Sequence, residues 1–480
     1  MKKTPLPAKR RGRFLICHVK GGIFLARNMT QGDIPRHLTA YAVPLILGNL
    51  FQLTYNAVDS IIVGRLIGKE ALAAVGTVSP VMNLIVLGVS GLCVGASVLM
   101  SGFYGGGQEE QLKKELATTL LCGVWFSVFA ILAGLFASQP LLRLLAVPED
   151  IRGVAGAYLR VVLMGIPFTF FYNALSSALK SIGDSKTPLK FLALCSVLNG
   201  AADCMLIGIF HFGVVSSAVA TVAAQALSAM LCALYIRRHT PALRLEARQL
   251  RMDRALLKQT LRYGGTTALQ QSCQPIGKLM IQGVVNTLGV DAIAAFNAIG
   301  RIDDYACLPE QSISQSITTF VAQNDGAGRR ERIHRGFRAG LLLEFFYGVL
   351  ICTAIFFLRM PAMRLFVTRG QDAVVALGSD YFRVMAAFYI LPAFTNGVQG
   401  YFRGKKHMKT MLLGTFTQIG LRALFTAIFV PHIGLVGVAY ASAIGWCAML
   451  LEEVPCYFYL KRREKSLPSG AAQKEAARKS

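Results

Sequence analysis

Long apolar runs, each close to a membrane thickness in length, dominate the chain and are separated by short polar or basic connections. A helix needs roughly 20 apolar residues to cross the hydrocarbon core. Twelve such runs are read, near 38-64, 71-101, 116-138, 155-179, 189-210, 214-236, 261-285, 291-322, 339-358, 378-402, 410-430 and 435-460. Alternating segments of the kind that build a membrane barrel are missing from the pattern. The expectation is an all-α polytopic membrane protein.

Composition sharpens this reading. Of 480 residues, 54% are hydrophobic and only 16% charged, which excludes an ordinary soluble fold. The net charge of +25 sits in the N-terminal tail, the connection at 237-262, the 329-338 run, Arg403 to Lys409 and the tail from Lys461. With an even number of spans, that bias puts both termini in the cytoplasm and the chain in a bacterial cytoplasmic membrane. The basic loops lack interleaved aromatics, so membrane lipids rather than nucleic acid are the expected partners. Lys20 and Arg27 interrupt the apolar patches before the first span, and no cleaved signal peptide is expected.

Eleven cysteines and seven histidines are scattered without metal-ligand spacing, and no nucleotide, hydrolase or zinc-protease motif occurs. An enzyme is not expected, nor a cofactor.

The chain repeats itself. "YLRVVLMGIPFTFFYNALSSALKS" at 158-181 overlays "YFRVMAAFYILPAFTNGVQGYFRG" at 381-404, matching Tyr158 to Tyr381, Arg160 to Arg383 and Asn173 to Asn396 at an offset of 223. Parallel six-helix repeats follow: a tail 1-36, an N-lobe 37-238, a cytoplasmic linker 239-260, a C-lobe 261-460 and a tail 461-480. The linker stretch "RLEARQLRMDRALLKQTLR" has the spacing of an interfacial helix. Repeated lobes enclose a site and alternate its exposure, so transport is the leading function; a receptor or scaffold is the other class, separated by measuring flux.

Three stretches, "YNAVDSIIVGRLIG", "LKSIGDSKTP" and "TTFVAQNDGAGRRERI", resemble the signatures of the multidrug and toxic compound extrusion (MATE) transporters, and the resemblance spans roughly 35-460. It implies twelve helices in two pseudo-symmetric lobes and export of organic cations against a proton or sodium gradient.

The residues supply an independent argument. Asp59 lies within a span, where a carboxylate costs several kcal/mol and marks a functional site when a partner is at hand. Asn199 and Asp203, spaced i and i+4, project from one face of helix five. Asp59 lies six residues before Arg65 and Asp203 eight before His211, depths of roughly 9 and 12 Å from the same surface. Thr221, eight residues after Gly213, reaches a comparable level, and Tyr55 sits one turn below Asp59 on its face. Two neighbouring carboxylates in a low-dielectric site cannot both ionise cheaply and so hold a proton; with the Asn, Thr and Tyr oxygens, Asp59, Asn199 and Asp203 suit sodium equally. Blander readings are an Asp59 that snorkels or pairs with Arg65, and an Asn199 that bridges helices.

The resemblance implies that Tyr55, Asp59, Asn199, Asp203 and Thr221 couple to the ion, that Gln52, Asn173, Ser196 and Gln225 line the N-lobe cavity, and that bending at Pro44 links protonation to release. The C-lobe departs from symmetry, with Gln270, Gln271, Gln274 and Lys278 on helix seven and no acid. On helix eight, Arg301 and Asp304 are spaced to pair, which leaves Asp303 and Glu310 as candidate cavity acids. The expected partners are small organic cations, and a monomer suffices. The alternative is a flippase for a lipid-linked or anionic substrate, which Lys278, Arg301 and Arg422 keep open.

Overall fold

A computed structural model describes residues 28–66, 69–144, 147–210, 212–367 and 370–466, the side chains of 56–74, 141, 144 and 465 excepted. The first half forms α1 (Ile34–Leu66), α2 (Lys69–Gly105), α3 (Glu109–Leu144), α4 (Glu149–Met164), α5 (Ile166–Ser181), α6 (Lys186–Asp203) and α7 (Val215–His239). The second forms α8 (Arg254–Val285), α9 (Val290–Gly326), α10 (Arg330–Phe366), α11 (Asp372–Met385), α12 (Ile390–Gly404), α13 (Met408–Ile433) and α14 (Val436–Ser466). No strand forms among the described residues.

These helices make twelve spans, because α4 with α5 and α11 with α12 each form one broken crossing. Among the described residues, seven spans pass on length and hydropathy alone, and the α11–α12 pair, bent by 58°, makes an eighth. Helices α1, α8, α9 and α14 complete the set. At 31 residues even α14 is about 46 Å long, ample for a core of about 30 Å. What depresses hydropathy in α8, α9 and α14 is polar groups turned inward: Gln270, Glu310 and Glu453 are all buried.

The repeat is visible in the backbone. The first half breaks at Gly165 and the second at 386–389, at corresponding positions. Asn173 donates to the Thr169 carbonyl at 2.8 Å, and its counterpart Asn396 donates to the Pro392 carbonyl at 3.0 Å. Gly183, at φ 88°, turns α5 into α6, and Lys406, at φ 64°, makes the matching turn before α13. The glycine is free in that region, whereas the lysine is strained there.

The expected interfacial helix in the linker is not formed. Two short 3-10 turns, Pro241–Leu243 and Ala247–Gln249, lead to Asp253, whose carboxylate caps α8 by accepting from the Ala255 and Leu256 amides at 2.9 and 3.1 Å. The capping carboxylate starts the helix there and absorbs residues 254–262 into α8. Leu243 is fully buried against the N-lobe core, and the Asp253 amide donates to Thr118 of α3 at 3.1 Å.

The lobes meet closely at the end bearing the basic loops. A methyl placed on Gly326 of α9 would lie 1.8 Å from the Gly102 carbonyl oxygen of α2, and one on Gly95 would lie 2.3 Å from the Gly264 amide of α8. Tyr41 of α1 shares a 3.0 Å hydrogen bond with Thr319 of α9, and the Gln323 amide donates to the Ser181 carbonyl at 2.8 Å. Residues 28–33, before α1, lie on the C-lobe. The Met29 amide donates to Gln323 at 2.9 Å, Arg332 donates to the Met29 and Gln31 carbonyls, and Arg329 donates to that of Thr30.

Candidate functional site

α6 begins where Asp184 accepts from the Lys186 and Thr187 amides, at 3.2 and 3.0 Å. It then carries Asn199 and Asp203 one turn apart on a buried face, at 5% and 0% exposure. Asp203 is its last α-helical residue; Cys204–Ile209 continue as a π-helical turn packed against α1 and α7. Such turns are frequent at functional sites because the looser pitch re-aims the flanking side chains.

The Asn199 amide donates a short hydrogen bond to the Tyr55 hydroxyl, joining α6 to α1. A methyl on Gly200 would stand 3.6 Å from the Tyr55 ring, so Tyr55 also packs on the α6 backbone beside the acid-bearing turn. Asp59 lies on α1 one turn beyond Tyr55, and its side chain is outside the described residues. Thr221 is half-buried on α7, whose helix packs on both α6 and the π-helical turn. The arrangement brings a buried carboxyl, an amide and a phenol to one level between α1 and α6, a donor set that can hold either a proton or a small cation.

Ser196, one turn below Asn199, is 7% exposed. Asn173 spends its amide on its own helix, as described above. Gln225 is half-buried and its Oε1 has no hydrogen-bond partner among the described residues. Gln52 is exposed. Pro44 is buried inside a continuous α1, where it removes one donor from the helical ladder.

The C-lobe acids are held differently from the sequence expectation. Asp304 pairs with Lys278 of α8 at 2.7 Å rather than with Arg301, because an acid at that point of α9 faces α8 across the gap between helices. Asp303 accepts a short hydrogen bond from the Tyr389 hydroxyl at the α11–α12 break. Glu310 is 1% exposed and accepts from the Asn396 amide at 3.4 Å. Two further acids escaped sequence reasoning. Glu344 of α10 is fully buried. Glu453 of α14 is also fully buried, reached by Gln399 at 3.4 Å, which in turn accepts from Gln270 at 2.6 Å. Glu344 stands alone in its apolar run and Glu453 sits beside Glu452, and an acid inside a spanning run was itself the available signal.

Comparison with known proteins agrees with this architecture. The profile of the MatE family matches residues 44–205 and again 267–428, two equal segments at the 223-residue offset of the internal repeat. A relative from Bacillus subtilis (strain 168), described as the probable multidrug resistance protein YpnP, is 28% identical over 431 residues, covering 89% of this chain and 96% of its own. A second from that organism, the probable multidrug resistance protein YoeA, is 29% identical over 359 residues, covering 73% and 78%. Among solved structures, a MATE protein crystallised in complex with MaL6 superposes with a TM-score of 0.86 at 23% identity, covering 92% of this chain and 99% of that one.

Proposed function

Since the chain belongs to the MatE family of membrane transporters, we propose that it is a secondary antiporter exporting lipophilic organic cations or drugs in exchange for protons or sodium ions. The observation that carries this reading is the bond from Asn199 to Tyr55 beside the buried Asp203, which puts an ionisable group where two helices of one lobe can move against each other. Export of drugs is in keeping with the names of its relatives. The basic end is the cytoplasmic one on the distribution of Lys and Arg; the lobes are joined there, so the arrangement corresponds to a state that presents its site to the opposite side.

In this reading Tyr55, Asp59, Asn199, Asp203 and Thr221 hold the coupling ion. Gln52, Asn173, Ser196 and Gln225 border the N-lobe space, and Asp303 and Glu310 supply negative charge to the C-lobe side. A substrate enters from the cytoplasm, the lobes rock apart at the basic end and rejoin, and an ion arriving at Asp59 and Asp203 promotes release. The ion gradient supplies the work. With Lys278 engaged by Asp304, a cationic cavity suited to a lipid-linked pyrophosphate is the weaker reading.

The test is efflux of a fluorescent lipophilic cation from proteoliposomes under imposed proton or sodium gradients, for wild type, Asp59→Asn and Asp203→Asn. Flux driven by one gradient and lost in both variants identifies the coupling ion. Absence of gradient-driven flux in folded, oriented protein overturns the reading.

A further inference from the structure

Two antiparallel helices of the C-lobe, α10 and α14, meet at the basic end along an aromatic seam. Tyr457 of α14 packs on Phe337 of α10 with ring centroids 4.8 Å apart, and its hydroxyl lies 3.3 Å from His334 Nδ1. One turn further out, Glu464 lies against His334, and its backbone carbonyl accepts from Arg330 at 2.7 Å. These contacts fix the two helix ends side by side.

Cations flank the seam. Lys461, one turn beyond Tyr457, holds its ammonium 5.9 Å from the centre of the Tyr457 ring. Arg338 follows Phe337 directly and lies one turn along α10 from His334. It is the last residue before the apolar run 339-358, and Lys461 is the first after the run 435-460, so both stand where the hydrocarbon core ends. Arg462 adds a third charge. No carboxylate pairs with Arg338, Lys461 or Arg462 among the described residues: Glu464 is engaged by Lys405 and His334, and Glu331 by Arg335.

What adjoins these charges decides what they attract. From Arg338 the exposed face of α10 continues through Leu342 and Phe346 towards the middle of the membrane, and from Arg462 that of α14 continues through Phe458 and Leu451. Followed at the helical pitch from the seam they share, the two faces open to the same side. A soluble anion would use only the charges, and an acidic protein would reach the apolar faces only by entering the bilayer. A molecule with an anionic head and hydrocarbon chains uses both.

We infer that Arg338 of α10 and Lys461 of α14 clasp the phosphate of an anionic phospholipid in the leaflet on the basic side, with Arg462 beside them and the acyl chains along the exposed faces of both helices. Tyr457 sets the spacing of the clasp, since its contacts with Phe337 and His334 hold the two cation-bearing turns together. The site does not depend on the antiport reading above.

The experiment is native mass spectrometry of the purified full-length protein titrated with dioleoylphosphatidylglycerol or dioleoylphosphatidylcholine. Wild type is expected to retain one phosphatidylglycerol in preference to phosphatidylcholine. Two cations at a membrane surface contribute about thirtyfold in affinity for an anionic lipid, so Arg338→Gln with Lys461→Gln should remove most of that preference. Arg237→Gln with Arg238→Gln, an equally basic pair at the exposed end of α7, should keep it. Loss in both double variants alike overturns the site as mere net charge, and loss in neither overturns it outright. Equal retention of the two lipids by wild type also overturns it, because the faces would then hold chains without reading charge. Glycerol 3-phosphate, a head without chains, should fail to displace the lipid; displacement at millimolar concentration would make this a free-phosphate site instead. Arg338→Gln alone, at an exposed position, should weaken the preference about fivefold and decides the matter if the double variant does not fold.

Discussion

Gly105 of α2 and Gln323 of α9 approach so closely that a methyl on the glycine would lie 1.9 Å from the Gln323 carbonyl oxygen. The neighbour is backbone, which cannot swing aside as a side chain can. Gly105→Ala is therefore expected to prevent the lobes from closing at the basic end while leaving each lobe folded. Ser316, now fully buried and donating to the Leu38 carbonyl at 3.0 Å, reports the change. Maleimide labelling of Ser316→Cys above the background of native cysteines should rise several-fold in the Gly105→Ala protein. Unchanged labelling refutes the expectation.

The Tyr55 hydroxyl gives a graded test of the N-lobe site. Tyr55→Phe keeps the ring against Gly200 and deletes the bond from Asn199. One neutral hydrogen bond contributes about 1 kcal/mol, so ion-driven export should drop roughly three- to tenfold, with little change in melting temperature. Export equal to wild type would remove Tyr55 from the coupling set.

At the basic end of the C-lobe, Lys405 bridges Asp325 at 2.6 Å and Glu464 at 2.7 Å, and Glu464 also lies 3.4 Å from the His334 ring. These groups lie beyond the spanning segments. Burial works to raise the Glu464 acid, but the His334 hydrogen bond and the Lys405 ammonium outweigh it and hold the carboxyl at about 2 against an ordinary 4.5. Burial likewise works to lower Lys405, and Asp325 and Glu464 together raise it. A depressed acid stabilises above its unfolded value and loses that contribution as pH falls from 4.5 towards about 2. A raised lysine stabilises below 10.5 and loses its contribution as pH climbs through the higher folded value. Thermal unfolding in detergent should thus be flat near neutrality and fall off on both sides. Lys405→Ala should cost roughly 3 kcal/mol at neutral pH by removing the cation of Asp325 and leaving Glu464 with the His334 contact, and a melting curve identical to wild type would contradict this.

Lys406 adopts a left-handed conformation that costs a non-glycine residue about 1 kcal/mol. Replacing it with glycine, the residue at the matching turn of the N-lobe, should raise the melting temperature slightly. A lowered one would mean that its side chain, 3.7 Å from where a methyl on Gly102 would stand, holds the lobes together.

Much of the fold was legible because membrane spans are written in long stretches of one chemical character, and because Asn173 and Asn396 marked a repeat whose two copies make the same intrahelical bond. The breaks at Gly165 and at 386–389 were not legible, since the apolar runs continue across them without a polar interruption. The π-helical turn after Asp203 leaves no trace in spacing. In the linker, arginines at helical intervals suggested one helix, and a single aspartate at Asp253 decided otherwise. At the N-lobe site, the i, i+4 spacing foretold the shared buried face of Asn199 and Asp203. Asp304 misled because the nearest cation in sequence, Arg301, is not the nearest in space. Glu344 was missed because its counterpart in the first half is Leu121, so the repeat gave it no echo.

The strand of chain before α1 gives the molecule an unusual mechanical layout. Residues 29–31 are fastened to the C-lobe through Gln323, Arg329 and Arg332, while the linker fastens the far end of the N-lobe to α8 covalently. The N-lobe is thus suspended like a hammock, tied to its partner at both ends of its own sequence and on the same side of the bilayer. A gap can open on the opposite side with both ties intact. Opening on the basic side must first slip the knot that the two arginines make with three backbone carbonyls, and that knot sets the threshold for exposure at that end.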